Sequence, residues 1–120
     1  MERVTKLTAK QFMEATFNES DRYLKRPRII CFDGYTISMQ GGTEFHYCTP
    51  RELCNEYLSL ELGYPSIEDE IINSFKECEN DNPTNCVYPY TPIEVVEQLI
   101  EKHGGIVGTI NYDIVRNYKP

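Results

Sequence analysis

The stretch from Thr91-Pro92-Ile93-Glu94 to His103-Gly104-Gly105 constrains this chain most, because both ends of one helix are written into it. Threonine at the N-cap, proline at the first helical position and a glutamate closing the box mark a start, since the opening turn leaves N–H groups without helical acceptors. The glycines mark a stop, because the residue past a helix end commonly turns left-handed and glycine does so without steric cost. A helix is therefore predicted from Pro92 to about Lys102, with Val95, Val96, Leu99 and Ile100 inward. An aliphatic face of that kind needs a second layer to cover it.

The second layer is predicted to be a sheet. Ile29-Ile30-Cys31-Phe32, the turn dipeptide Asp33-Gly34, and Tyr35 to Gln40 with every second residue apolar read as a β-hairpin. Gly41-Gly42 should bend or bulge the strand that follows. After a loop through Thr49-Pro50-Arg51, the run Asn55 to Leu62 reads as a further strand that stops at Gly63, although Arg51 to Leu58 could instead be helical. Thr8 and Gln11 form a capping-box pattern, which places a first helix from about Ala9 to Phe17 with Phe12, Ala15 and Thr16 on one face. Ser66, with Asp69 at its box position, should open a short helix whose apolar face is Ile67, Ile71, Ile72 and Phe75. Cys78 to Asn85 is polar and contains the Asn82-Pro83 step that discourages helix, and Ile106 to Pro120 reads as a strand with a ragged end. The expectation is a single α+β domain over residues 1–120, a small antiparallel sheet packed with two to three helices.

Composition narrows the function. Hydrophobic residues at 40% and charged residues at 26% are ordinary for a globular chain, and no apolar run approaches the roughly 20 residues of a membrane span. The opening residues carry no apolar leader segment, so no secretory signal is expected. A net charge of −7 disfavours duplex DNA and anionic membranes, both of which need a dense cationic face. Five cysteines without framework spacing are expected to be free thiols in a reducing cytosol. Nine tyrosines and no tryptophan suggest surfaces that combine stacking with a hydroxyl, as at interfaces and nucleotide sites.

The densest chemistry lies in His46-Tyr47-Cys48-Thr49-Pro50-Arg51. Arg51 offers a planar fork suited to phosphate or carboxylate, and Tyr47 or His46 could stack on a base; equally, Arg51 could pair with a carboxylate and Tyr47 could be core. His46, Cys48 and Cys54 supply three zinc-type ligands but no Cys-x-x-Cys knuckle, so no metal is expected. A cysteine nucleophile with His46 or His103 as base would lack a third, orienting group, so the chain is read as non-enzymatic and without a cofactor. His103 is more simply a helix C-terminal dipole partner. Arg22, Lys25, Arg26 and Arg28, with Tyr23 among them, are either a phosphate-reading patch or a solvated face. Asn82 and Thr84 with Tyr88 and Tyr90 could hydrogen-bond and stack on a polar ligand, although turn formation alone accounts for Asn and Pro there.

The order of the motifs Ile37-Ser38-Met39-Gln40, His46 to Arg51, Glu61-Leu62-Gly63-Tyr64-Pro65-Ser66, Asn82-Pro83-Thr84, and Val87 to Pro92 leading into Glu101-Lys102-His103-Gly104-Gly105 resembles that of a family of small proteins from phages and prophages of Gram-positive bacteria. Through that family the chain is similar to the phage anti-Thoeris sponge proteins. The resemblance implies a homo-oligomer, dimer or higher, in the bacterial host cytosol. Such a protein sequesters a cyclic ADP-ribose-type signal or a cyclic oligonucleotide without cleaving it, in pockets at subunit boundaries. On that reading Arg51, Tyr47, His46, Asn82, Thr84, Tyr88 and Tyr90 line the main pocket, and Arg22, Arg26 and Arg28 lie near a second anionic site. Gly41-Gly42 departs from the family, where small residues such as Ala-Ser are expected. An alternative is a protein-directed inhibitor that presents the acidic stretch Glu68 to Asp81 to a host nuclease or effector, and a third is an enzyme that degrades the signal.

Overall fold

The computed structural model of the protein describes residues 3–78, 82–109, 115 and 118 of its 120. In chain order the regular elements are β1 (Val4–Leu7), α1 (Ala9–Ala15), β2 (Ile29–Ile30), β3 (Thr36–Gln40), β4 (Ser59–Gly63), β5 (Val87–Pro92), α2 (Ile93–Lys102) and β6 (Ile106–Thr109). The strands form an antiparallel four-stranded sheet in the order β2-β3-β4-β5 and an antiparallel pair, β1 with β6. With two α-helices among the described residues, this is the α+β class expected. The Cys31–Ile106 bridge and the Phe32 N–H donated to the Gly105 carbonyl at 3.1 Å stitch the two sheets together. All four residues of β6 are buried, as in a strand covered on both faces.

The hairpin turns as its sequence suggests, but with one residue more. Cys31 N–H donates to the Tyr35 carbonyl at 2.8 Å and Gly34 N–H to the Cys31 carbonyl at 2.9 Å, enclosing Phe32, Asp33 and Gly34. Gly34 has φ 95°, the left-handed position that closes a three-residue loop, and only glycine adopts it freely.

α2 ends in a complete Schellman arrangement. Gly105 N–H donates to the Ile100 carbonyl at 2.9 Å and Gly104 N–H to the Glu101 carbonyl at 3.1 Å, with both glycines at φ 91°. Val96, Leu99 and Ile100 are buried, each contributing about 1.5–3 kcal/mol by removal from water. α1 carries the anticipated capping box, with Gln11 N–H donating to Thr8 Oγ1 at 3.1 Å and Thr8 N–H to Gln11 Oε1 at 2.9 Å. From α2, Glu97 reaches across to accept the Ala9 N–H at 2.7 Å, so the second helix caps the first.

Several expectations are corrected. β1 is a strand where none was expected. Thr91 is not the N-cap of α2: the strand runs on to Pro92, and the buried Thr91 hydroxyl donates to the Tyr88 carbonyl at 3.0 Å. The inward face of α1 is Ala9, Phe12 and Met13, while Ala15 is exposed. Ser66 opens no helix; it continues the β3 ladder, accepting the Thr36 N–H on Oγ at 3.0 Å and donating its own N–H to the Thr36 carbonyl at 2.8 Å. A 3-10 turn over Asn73–Phe75 follows, and Ile67 is exposed. β4 begins at Ser59, not at Asn55, and Arg51 to Leu58 is not helical. Gly41 has no unusual φ; a Cβ there would meet Met13 at 2.9 Å and Tyr57 at 3.0 Å, so close packing explains it. Cys78 and Cys86 are joined as a disulfide, which leaves Cys31, Cys48 and Cys54 as the free thiols. Most of the tail after Thr109, and the acidic positions Glu79 and Asp81, lie outside the described residues. No helix among the described residues is long and apolar enough to cross a membrane.

Candidate functional site

The loop from Thr43 to Arg51 is held from below by one carboxylate. Glu61 lies between the buried Leu60 and Leu62, so strand alternation turns it out of that face of β4. Its Oε2 accepts the Tyr47 N–H at 3.1 Å, and its Oε1 lies 3.3 Å from His46 Nδ1. His46 Nε2 is 3.1 Å from the Leu24 carbonyl. Both ring nitrogens face acceptors, an arrangement satisfied by the doubly protonated ring. Accordingly, the Glu61 hydrogen bond outweighs burial and holds the His46 pKa above the ordinary imidazole value. His46 therefore supports the loop, with both ring nitrogens engaged within the chain.

Above this support, three of the expected residues converge. The Arg51 guanidinium stands 5.3 Å from the centre of the Tyr47 ring, in cation–π range. Tyr47 and Tyr90 rings lie 5.9 Å apart at 51°, and Tyr90 N–H donates to the Tyr47 carbonyl at 3.0 Å. Arg51 Nη2 donates to the Glu44 carbonyl, and among the described residues Arg51 has no carboxylate partner. Arg22 reaches the same residue from the other side, its guanidinium paired with the Glu44 carboxylate. Beyond them an exposed Tyr23–Phe45 ring pair, centroids 5.0 Å apart, extends the face.

A defect in the sheet explains why Tyr90 is exposed when Tyr88 is not. Leu60 pairs with Thr91 but Leu62 pairs with Tyr88, so β5 has one residue more than β4 across this step. Tyr90 takes φ 51° there. Such bulges re-aim side chains that strict alternation would put on one face. Tyr90 is accordingly 45% exposed, while Tyr88 is fully buried with its hydroxyl donated to the Pro83 carbonyl at 2.8 Å.

The remaining expected residues lie elsewhere. Tyr88 is core. Asn82 accepts the Thr84 N–H at 3.1 Å and the Thr84 hydroxyl at 2.9 Å, so the two build a 3-10 turn beside Tyr88, on the far side of the bulge from Tyr90. The second anionic site does not assemble as a patch. Arg26 is only 2% exposed; its Nε donates to Thr16 Oγ1 at 2.8 Å and its Nη1 to the Gly41 carbonyl, so it ties α1 to the end of β3 from inside. Arg28 bonds Thr36 and the carbonyl of Tyr64, a residue at φ 54° after β4. Only Arg22 of that cluster joins the Arg51 face. Desolvation is why: a guanidinium buried without a carboxylate persists only where carbonyls and hydroxyls surround it, and those come from distant sequence.

A second polar cluster went unpredicted beyond His103 itself. His103, the C-cap of α2, has Nδ1 2.6 Å from Asp33 and Nε2 2.8 Å from the buried Asp69, and it stacks on Tyr35 at 3.8 Å between centroids. Lys102 Nζ is 3.2 Å from Asp69. A catalytic imidazole needs one nitrogen free to exchange a proton with a substrate, and here both are taken. Burial disfavours the thiolate of the two buried cysteines, pushing Cys31 up to about 12 and raising Cys48. Among the described residues no three His, Cys, Asp or Glu side chains are grouped to hold a metal ion. Of the acidic stretch, Asp69 turns inward to His103 and Lys102, while Glu68, Glu70 and Glu77 are exposed.

No protein-family model matches the chain, and no curated protein and no solved structure matches it either.

Proposed function

We propose that this protein is a phage-encoded capture protein that holds a small cyclic nucleotide signal, of the cyclic ADP-ribose or cyclic oligonucleotide type, in the host cytoplasm without cleaving it. The face built by Arg51, Tyr47, Tyr90 and Arg22 receives the ligand. One observation carries this reading: an exposed guanidinium bound to a backbone carbonyl, with no carboxylate partner among the described residues, beside two exposed tyrosine rings. A phosphate gains charge-assisted bonds from Arg51 and Arg22, and an adenine stacks on Tyr47 or Tyr90. The motif resemblance to the sponge family points the same way. The face is open, so tight capture calls for a second copy of the chain over it, and we assign that contact to the exposed Tyr23–Phe45 pair.

The protein is incubated with cyclic ADP-ribose signal made by a TIR enzyme, desalted, heated, and the released material chromatographed. Release of intact signal is expected. Fragments would mean an enzyme, and no captured signal would overturn the proposal. Arg51→Ala should weaken binding roughly 10- to 100-fold with the fold intact, since it removes charge-assisted hydrogen bonds of about 1.5–3 kcal/mol each. Unchanged affinity in calorimetry would remove Arg51 from the site.

A further inference from the structure

A concave site separate from the Arg51 face opens where α1, residues 55–58 and the first turn of α2 meet. Its volume is about 630 Å³, inside the roughly 300–1,000 Å³ of small-molecule sites. Met13, Tyr57, Leu58 and Ile93 form its apolar wall. The chain builds this hollow deliberately at two points. Gly41 lets Met13 and Tyr57 close up behind it. Leu58 is 71% exposed yet fixed in place, since its N–H donates to the Thr49 carbonyl at 2.7 Å and its carbonyl accepts the Ile93 N–H at 2.9 Å. With its backbone anchored in this way, the leucine presents its apolar side chain from a fixed point on the rim of the hollow.

The charges around the wall are unequal. Glu56, Glu94 and Glu97 face a single cation, Lys10. Glu97 is committed to the Ala9 and Lys10 N–H groups. Lys10 and Glu56 form an exposed pair at 3.6 Å, which exchanges at little cost. Glu94, exposed in the first turn of α2, has no ion-pair partner among the described residues. An anion entering here would meet three carboxylates within a chain of net charge −7. A cation with an apolar body would lay the body on the wall and its charge against Glu94 and Glu56.

We infer that this cavity binds an amphipathic organic cation, an amine carried on an aromatic or aliphatic body. The chain contains no tryptophan, so an indole ligand can be followed by its own fluorescence. Tryptamine is the probe, and indole-3-acetate, with a similar body and the opposite charge, is its control. Tryptamine emission should shift to the blue and saturate with a Kd of about 1 mM or tighter, and indole-3-acetate should bind at least roughly tenfold more weakly. Glu94→Lys, at an exposed position, should weaken tryptamine by roughly fivefold or more while the circular dichroism stays unchanged. Leu58→Ser should also weaken it, through loss of the wall. The inference is overturned by an absence of saturation at millimolar probe, by equal affinity for the two indoles, or by indifference to Glu94→Lys. It is overturned as well if sedimentation shows a dimer that Leu58→Ser dissociates and tryptamine does not enter, since a second copy would then be the occupant. Arg51→Ala should leave tryptamine binding unaltered, which keeps this site distinguishable from the Arg51 face.

Discussion

The two histidines of this chain are each bonded through both ring nitrogens, yet they build opposite things. His103 sits between Asp33 and Asp69 under the Tyr35 ring, and it clamps the end of α2 to the β2–β3 hairpin and the turn at Asp69. His46 sits between Glu61 and a carbonyl, and the groups it steadies, Tyr47 and Arg51, stay exposed. Where carboxylates close on the ring from both sides, the polar cluster is a joint between core elements. Where one carboxylate serves both an imidazole and a backbone N–H, the result is a rigid pedestal with its chemistry on top. Function is therefore sought beside His46, and His103, the more active-site-like of the two at first sight, is assigned to the fold.

The strongest way to break this contrast is to remove each ring. His103→Ala leaves Asp69 buried with Lys102 as its remaining side-chain partner and should cost about 3 kcal/mol of stability. His46→Ala should cost less, about 1–2 kcal/mol, but should abolish nucleotide capture by loosening the Tyr47 and Arg51 loop. Urea unfolding followed by calorimetry on the folded fraction measures both. Equal stability losses, or binding lost through His103 instead, would reverse the assignment.

Acidity separates the two sites in opposite directions. Burial pushes the Asp69 carboxyl up, but the Ile71 N–H, His103 and Lys102 outweigh it and hold its pKa below the usual carboxylate range. Its contribution is complete above the unfolded value of about 4 and is lost as pH falls through the lower folded value. His46 has a raised pKa, so its contribution is complete below about 6.5 and is lost as pH rises through the folded value. Urea midpoints measured across the pH range should fall at the acid end in the parent but less in Asp69→Asn, and the modest alkaline decline should vanish in His46→Ala.

The smallest effect concerns Glu44. It occupies Arg22 with its side chain and Arg51 with its carbonyl. Glu44→Gln keeps the carbonyl and frees Arg22, so signal affinity in calorimetry should rise by roughly two- to fivefold, with the thermal midpoint hardly moved. A fall in affinity would mean that Glu44 positions the arginines instead of competing for them.

What the amino-acid order announces here is mostly local. The Thr8–Gln11 box, the Asp33-Gly34 hairpin and the glycine stop at Gly104-Gly105 all depend on neighbours within a few residues, and all three formed. β1 escaped notice because it pairs with β6 across the whole chain and Val4 to Leu7 show no period-two pattern. Thr91 looked like a cap because cap chemistry is local, but strand pairing with Leu60 claimed it. In the site, Arg51, Tyr47 and Tyr90 were readable as residue types, and their meeting depends on a bulge that no local pattern announces. Arg26 was misplaced because a charged side chain is assigned to solvent by default, and only the tertiary positions of Thr16 and Gly41 make its burial tolerable.

The extra residue of β5 has an evolutionary corollary. Because hydrogen-bonded pairing resumes on both sides of the step between Leu60 and Leu62, loss of one codon between Tyr88 and Thr91 would restore plain alternation without rewriting the neighbouring ladder. If the codon lost is that of Tyr90, one ring of the aromatic pair goes with it in the same event. The exposed rings on this face can thus be altered by an indel that leaves the strand pairing on either side of it in place.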